Sequence, residues 1–247
     1  MYKIGITEAG DAGIDRSWAN RLDEVDGAIL ITKNAALDFR TLAAANMEKL
    51  IVHITCTGYG GTVVEPHVPP VFEQLKNAQD LIKRGFPWDK IVIRVDPIIP
   101  TEKGIDRALD VMKLFMDNGF SRYRISVLDM YPHVSKRFRE AGLPAPYLFG
   151  APEEAMRKTD KMLAAAKAYW DDFSGGLRIE SCAEPGLTET IQCGCVSAYD
   201  LELLGLHQEN VDSLGPQRES CMCYSGKTEL LKNKRQCPHR CLYCYWH

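Results

Sequence analysis

Short runs rich in Ile and Val recur along the first two thirds of the chain, at residues 3–6, 27–32, 50–55, 90–95, 123–128 and 177–181. These runs are continuously apolar rather than alternating, the pattern of strands buried on both faces of a parallel sheet. Between them, apolar positions return at helical spacing over residues 15–22, 37–48, 71–83, 104–118 and 153–173. Repeated strand–helix units imply a barrel or an open doubly wound sheet. Six predicted strands suit a partial (β/α) barrel better than a complete eight-stranded one. The Pro-containing breaks P-H-V-P-P (66–70), D-P-I-I-P (96–100) and L-P-A-P (143–146) read as loops between elements, not as domain linkers.

After Cys182 the alternation stops, and glycine, cysteine and charged residues take over. Short helical patterns remain at 198–204 and 226–231. The expected organisation is a barrel over 1–181 with a cysteine-rich tail, 182–247, packed on it as one structural unit. The tail offers little apolar area for its length, so a metal centre would supply order that its hydrophobic content does not.

Composition narrows the class. The chain of 247 residues is 45% hydrophobic, 26% charged and 9% aromatic, which excludes disordered, collagenous and coiled-coil readings. No run approaches the ~18 apolar residues of a membrane span. The opening M-Y-K-I-G-I-T-E enters a strand-like run with no basic n-region, which predicts a cytoplasmic location. A net charge of −3 gives no global attraction to nucleic acid or membrane.

Cysteine usage changes the picture most. Eight of the nine cysteines fall at or after Cys182. Crowded cysteines in a reducing compartment point to metal or an iron–sulfur cluster, not to disulfides. The chain ends C-P-H-R-C-L-Y-C-Y-W-H, so Cys237, Cys241 and Cys244 form C-x-x-x-C-x-x-C with Tyr243 before the last cysteine. Three thiolates on one loop can hold three irons of a [4Fe–4S] cube and leave the fourth open to a cofactor or substrate. The competing assignment is structural zinc, with Cys221-x-Cys223 as a distorted partner to the Cys241/Cys244 pair. Four of the remaining tail cysteines could hold a second [4Fe–4S] cluster; the preferred set is Cys182, Cys195, Cys221 and Cys223, leaving Cys193 spare. Cys56, at a strand end before T-G-Y-G-G, reads as a buried or pocket-lining thiol.

The terminal motif resembles the cysteine motif of radical S-adenosylmethionine (SAM) proteins, and C-P-H-x-C-x-Y-C-Y is similar to the spore photoproduct lyase-like branch. The whole chain resembles an uncharacterised family that carries this motif at its C-terminus. The segments are I-T-K-N (31–34), T-C-T-G-Y-G (55–60), E-P-H-V-P-P (65–70), R-V-D-P-I-I (94–99), S-C-A-E (181–184) and Q-R-E-S-C-M-C (217–223). The resemblance implies a partial TIM-like barrel with a permuted cluster loop, a SAM cofactor on the open iron, and reductive cleavage of SAM to a 5′-deoxyadenosyl radical. It also implies an external one-electron reductant of flavodoxin or ferredoxin type. The family's usual opening has a basic pair before an Asp, whereas this chain reads T-E-A-G-D-A-G. Chains of this variant resemble ones encoded beside thymidine-modifying systems of bacteriophages, which would place the protein in a host cytoplasm.

In α/β barrels ligands gather at the C-terminal strand ends. The polar residues there are Glu8, Lys33, Asn34, Thr57, Tyr59, Arg94, Asp96, Asp129, Tyr131 and Glu184. Lys33, Asn34, Arg94 and Asp96 are candidates for binding SAM or substrate, with Arg94 on the SAM carboxylate and Asp96 on a ribose hydroxyl. Equally, Arg94 and Asp96 could form a structural ion pair. His239 is expected to orient the cluster loop, and Tyr243 to present its backbone to the adenine. His53, on an apolar strand, reads as a satisfied core histidine. Residues 227–241 contain five Lys or Arg and one Glu, either a patch for a phosphate-bearing substrate such as DNA or a solvated face. Tyr245 and Trp246 could stack on a base or pack on the barrel.

Three functions fit these residues. The first is a radical SAM enzyme with isomerase- or lyase-type chemistry on a thymidine-derived base, free or in DNA. The second keeps the radical chemistry but takes a peptide or small metabolite. The third is a zinc-stabilised barrel that binds nucleic acid.

Overall fold

The computed structural model describes residues 1–147, 153–171, 173, 175–211, 222, 227–232 and 237–245. Its strands are β1 (Ile4–Ile6), β2 (Gly27–Thr32), β3 (Leu50–Thr55), β4 (Ile91–Ile98), β5 (Arg122–Val127), β6 (Arg178–Ser181), β7 (Ile191–Gln192) and β8 (Thr228–Glu229). They form one sheet in the order β7-β6-β5-β4-β3-β2-β1-β8, every pair parallel. The helices are α1 (Leu37–Ala45), α2 (Val71–Lys83), α3 (Glu102–Met116), α4 (Pro132–Glu140), α5 (Glu153–Trp170) and α6 (Ala198–Leu203). The fold class is thus α/β with an eight-stranded parallel sheet. Among the described residues, no helix is long and apolar enough to cross a membrane.

Both sheet faces are buried, which is why the strands read as unbroken apolar runs. Leu50, Val52 and Ile54 of β3 pack with Phe39 of α1, Leu75 of α2 and Phe115 of α3. The alternate residue Ile51 joins Ile4, Ile29 and Val92 on the opposite face. That face is covered by tail residues Val196, Leu201 and Val211. Leu230 and Leu231 add to the helix-side core. The tail therefore buries more apolar surface than its composition suggests.

Several predicted elements change. Eight strands replace the expected six, because the tail contributes β7 and β8. Residues 226–231 were expected to be helical; instead Thr228 and Glu229 pair with Gly5 and Ile6. Glu229 then closes the end of β1, accepting from the Glu8 and Ala9 amides at 3.0 and 2.9 Å. The break at 96–100 is not wholly a loop, since β4 runs on to Ile98 through a register shift between Val95 and Ile98. The predicted helix over 15–22 is a 3₁₀ segment, Ser17–Glu24. Helix α4 was not anticipated.

A charged network lies under the sheet. Arg122 and Arg124 are 3% and 2% exposed, and Glu180 and Asp200 are fully buried. Glu180 Oε2 accepts from Arg124 at 3.0 Å and Arg122 at 3.2 Å. Asp200 pairs with Arg122 and also accepts from the Ser197 hydroxyl at 2.8 Å, capping α6. Burial alone would raise the Asp200 pKa, but Arg122 and Arg124 hold it below the usual carboxylate range. Asp200→Ala would leave two buried guanidinium groups short of negative charge, and should lower unfolding free energy by about 3–5 kcal/mol. Urea denaturation followed by circular dichroism checks this; a loss under about 1 kcal/mol would mean the network is not essential to packing.

Candidate functional site

The loop over residues 237–245 lies across the C-terminal ends of β1 to β4. Cys237, Cys241 and Cys244 line one cavity with residues at or beyond the ends of those strands, among them Asp11, Lys33 and, near the end of β4, Asp96. Between the first two cysteines, Arg240 takes a left-handed backbone with φ of 51°. That conformation costs a non-glycine residue of order 1 kcal/mol or more, so the surrounding contacts must hold it.

Two buried polar contacts supply the hold. Asp11 accepts from the Gly13 amide at 2.8 Å, the Thr32 hydroxyl at 2.6 Å and the Lys33 amide at 2.7 Å. Its Oδ2 also lies 2.8 Å from His239 Nε2, while His239 Nδ1 lies 2.9 Å from the His67 carbonyl. His239 thus bridges the Asp11 carboxylate and the His67 carbonyl through its two ring nitrogens. Burial pushes the Asp11 pKa up, but His239 outweighs it and the group stays ionised. The second contact joins Lys33, Glu65 and Tyr243. Lys33 Nζ donates to Glu65 Oε1 at 2.9 Å and to the Tyr243 hydroxyl at 2.8 Å, and that hydroxyl donates to Glu65. Backbone bonds complete the seating: the Leu242 amide donates to the Val64 carbonyl at 3.0 Å, and Arg137 of α4 donates to the Cys244 carbonyl.

Burial pushes Cys237 up to about 11 and Cys241 up to about 12, with Lys33 acting in the opposite sense. A bound metal would displace those protons. Among the described residues, no three His, Cys, Asp or Glu side chains converge as ligands of a single ion do. Three cysteines lining one cavity are the donor set that a [4Fe–4S] cluster with one open iron would require. The residues fit a [4Fe–4S] group.

A family model described as "Domain of unknown function (DUF1848)" matches residues 15–246. The chain belongs to this family. No curated protein matches the sequence. Among solved structures, the mannohexaose complex of Thermomonospora fusca beta-mannanase is similar, with 10% identity over 83% of this chain and 76% of that one, and a TM-score of 0.33. The mannotriose complex of the same enzyme shows 11% identity, the same coverage and a TM-score of 0.32. Likeness at that level carries no argument about fold detail or activity.

Within this DUF1848 chain the anticipated residues are distributed unevenly. Lys33 and Asp96 line the cavity with the three cysteines; Arg94 and Asn34 do not. Arg94 pairs with Asp96, which also accepts from the Ser126 hydroxyl. Beyond the backbone role expected of it, Tyr243 uses its side chain as a strut between Lys33 and Glu65. His53 is fully buried, but neither ring nitrogen has a partner among the described residues, so it is not the satisfied histidine expected. Burial, with Arg124 and Arg94 nearby, pushes its pKa well down and leaves it neutral. Cys56 is fully buried and outside the cavity lining. Cys182 and Cys195 meet at an Sγ–Sγ distance of 3.6 Å, whereas Cys193 lies near Arg124 and Glu180. Cys221, Cys223, Trp246 and His247 fall outside the described residues. Of the basic stretch, Lys227 pairs with Glu8 at 2.8 Å.

Sequence reasoning missed Glu65 and the anchoring role of Asp11. Asp11 does leave a signal, the D-x-G turn after β1. A Cβ on Gly13 would sit 1.9 Å from the Asn34 carbonyl oxygen, so only glycine permits that approach. Asp11→Ala removes the acceptor for four groups, and each buried donor left unpaired costs about 1–3 kcal/mol. Amide hydrogen exchange at Leu242 and Cys244 should accelerate at least tenfold. Unchanged exchange in the loop would mean that Asp11 does not anchor it.

Proposed function

We propose that the chain is a radical SAM enzyme built on a partial TIM-like barrel whose cluster loop is permuted to the C-terminus. The observation that carries this reading is the gathering of Cys237, Cys241 and Cys244 in one cavity over the C-terminal ends of parallel strands. Those three residues would hold a [4Fe–4S] cluster. Such a cluster, supplied with one electron and SAM, would provide reductive SAM cleavage and radical hydrogen abstraction from a substrate carbon.

The chain's own residues would position the reactants. Asp96 faces the cavity as an ionised carboxylate: burial acts upward on its pKa, but Arg94 and Ser126 bring it below the usual range. It is suited to accept from ribose hydroxyls, with Arg94 fixing its orientation. Lys33 and His239 hold the loop, and Asn34 supports the adjacent turn through its backbone. Cys182 and Cys195, already in contact, are proposed as half of a second cluster, with Cys221 and Cys223 as the sequence's remaining candidates.

The proposed substrate is a thymidine-derived base in DNA, with rearrangement as the outcome. Aromatic residues near the cavity support a planar substrate: Tyr245 lines it and meets Tyr131 edge-on at 5.2 Å, and Tyr131 stacks on His133 at 5.7 Å. The electron would come from a flavodoxin or ferredoxin.

Anaerobically prepared protein, reduced in the presence of SAM, should release 5′-deoxyadenosine, and deuterium should pass into it from labelled thymidine-derived DNA. Colourless protein containing zinc and yielding no 5′-deoxyadenosine would overturn the radical reading. Transfer only from peptides or small metabolites would overturn the substrate. Asp96→Ala should weaken SAM binding about tenfold, a loss of about 1.4 kcal/mol; unchanged affinity removes Asp96 from the cofactor site.

A further inference from the structure

We propose that Lys33 and Glu65 form an oriented ion pair that sets the reduction potential of the cluster held by Cys237, Cys241 and Cys244. The inference rests on the iron–sulfur reading and adds a positioning and tuning role to two residues outside the ligand set.

The geometry is specific. Lys33 projects from the end of β2 into the cysteine-lined cavity, with its side chain 16% exposed. Glu65 is fully buried. Tyr243, between Cys241 and Cys244 in sequence, bonds to both charged groups and fixes their relative placement. Lys33 also lies 5.3 Å from the centre of the Tyr243 ring. A neutral pair would have little effect at a distance, but this one has a direction. Lys33 lines the cavity together with Cys237, Cys241 and Cys244, whereas Glu65 is not among the residues that line it. The positive end of the dipole therefore faces the cluster thiols.

Charge in a buried site is weakly screened, so a fixed cation beside the thiolates favours the added electron and eases reduction. Burial opposes the lysine charge, but the Glu65 carboxylate 2.9 Å away, with Asp96 acting in the same sense, favours the protonated side chain. Lys33 is thereby committed to this network rather than free to bind a cofactor carboxylate.

The two charges predict opposite effects, which a purely structural role does not. Lys33→Met removes the positive end and should lower the midpoint potential. Glu65→Gln keeps the hydrogen-bond acceptor, unmasks the ammonium and should raise the potential. Each shift should reach about 59 mV, a tenfold change in the one-electron equilibrium. Tyr243→Phe, which leaves both charges in place, should shift less than either. The measurement is a redox titration of anaerobically reconstituted full-length protein without SAM, monitored by electron paramagnetic resonance, with iron and sulfide counted for every variant. Opposite shifts support the proposal. Loaded variants with unchanged potentials, or shifts of the same sign, overturn it while leaving the iron–sulfur reading intact. If Lys33→Met fails to load, Glu65→Gln decides alone, a rise supporting and anything else overturning. Wild-type protein that binds no iron overturns the underlying reading and this inference with it.

Discussion

Two buried polar contacts, Asp11 with His239 and the Lys33–Glu65 ion pair with Tyr243, tie a cysteine loop to residues beyond β1 and β2 that lie more than two hundred positions earlier. Burying charge is costly unless each ion finds a partner and its remaining hydrogen-bonding capacity is met. Asp11 meets that condition through four donors, and His239 through acceptors at both ring nitrogens. Removing any one member would strand the others in a low-dielectric site. The loop is thus fixed by the expense of leaving its polar groups unpaired, rather than by the modest apolar area of its own residues.

That constraint links fold to chemistry. The parallel sheet directs its strand ends to one side, where the side chains at or beyond the ends of β1, β2 and β4 converge. The tail reaches the same side after covering the face opposite the helices with Val196, Leu201 and Val211 and adding β8 beside β1. A loop delivered by this route brings three thiols, a tyrosine hydroxyl and a histidine ring to one cavity.

The parts of the fold that could be read from sequence were those governed by local pattern. β2 and β3 match their expected limits because burial on both faces leaves continuous apolar runs. α4 was missed because P-H-V-S-K-R-F-R-E buries only Val134 and Phe138, too sparse a stripe to stand out. β8 was misread because its two residues carry no strand periodicity, and the Leu pair after it suggested a helix. The proline in D-P-I-I-P argued for a loop, yet the register shift accommodates it within β4. Within the candidate site, the cysteine motif and Lys33 were visible by spacing and position. Glu65 was not: its partners are 32 and 178 residues away, and no local pattern marks a carboxylate whose meaning depends on them.

The most direct test of the central claim is electron–nuclear double resonance of the reduced protein mixed with SAM labelled at its amino nitrogen and carboxylate oxygens. The account predicts hyperfine coupling from both labels, since three cysteines leave one iron open to that chelate. A four-iron signal with no coupling to either label would mean that the fourth position is closed, and would contradict the account.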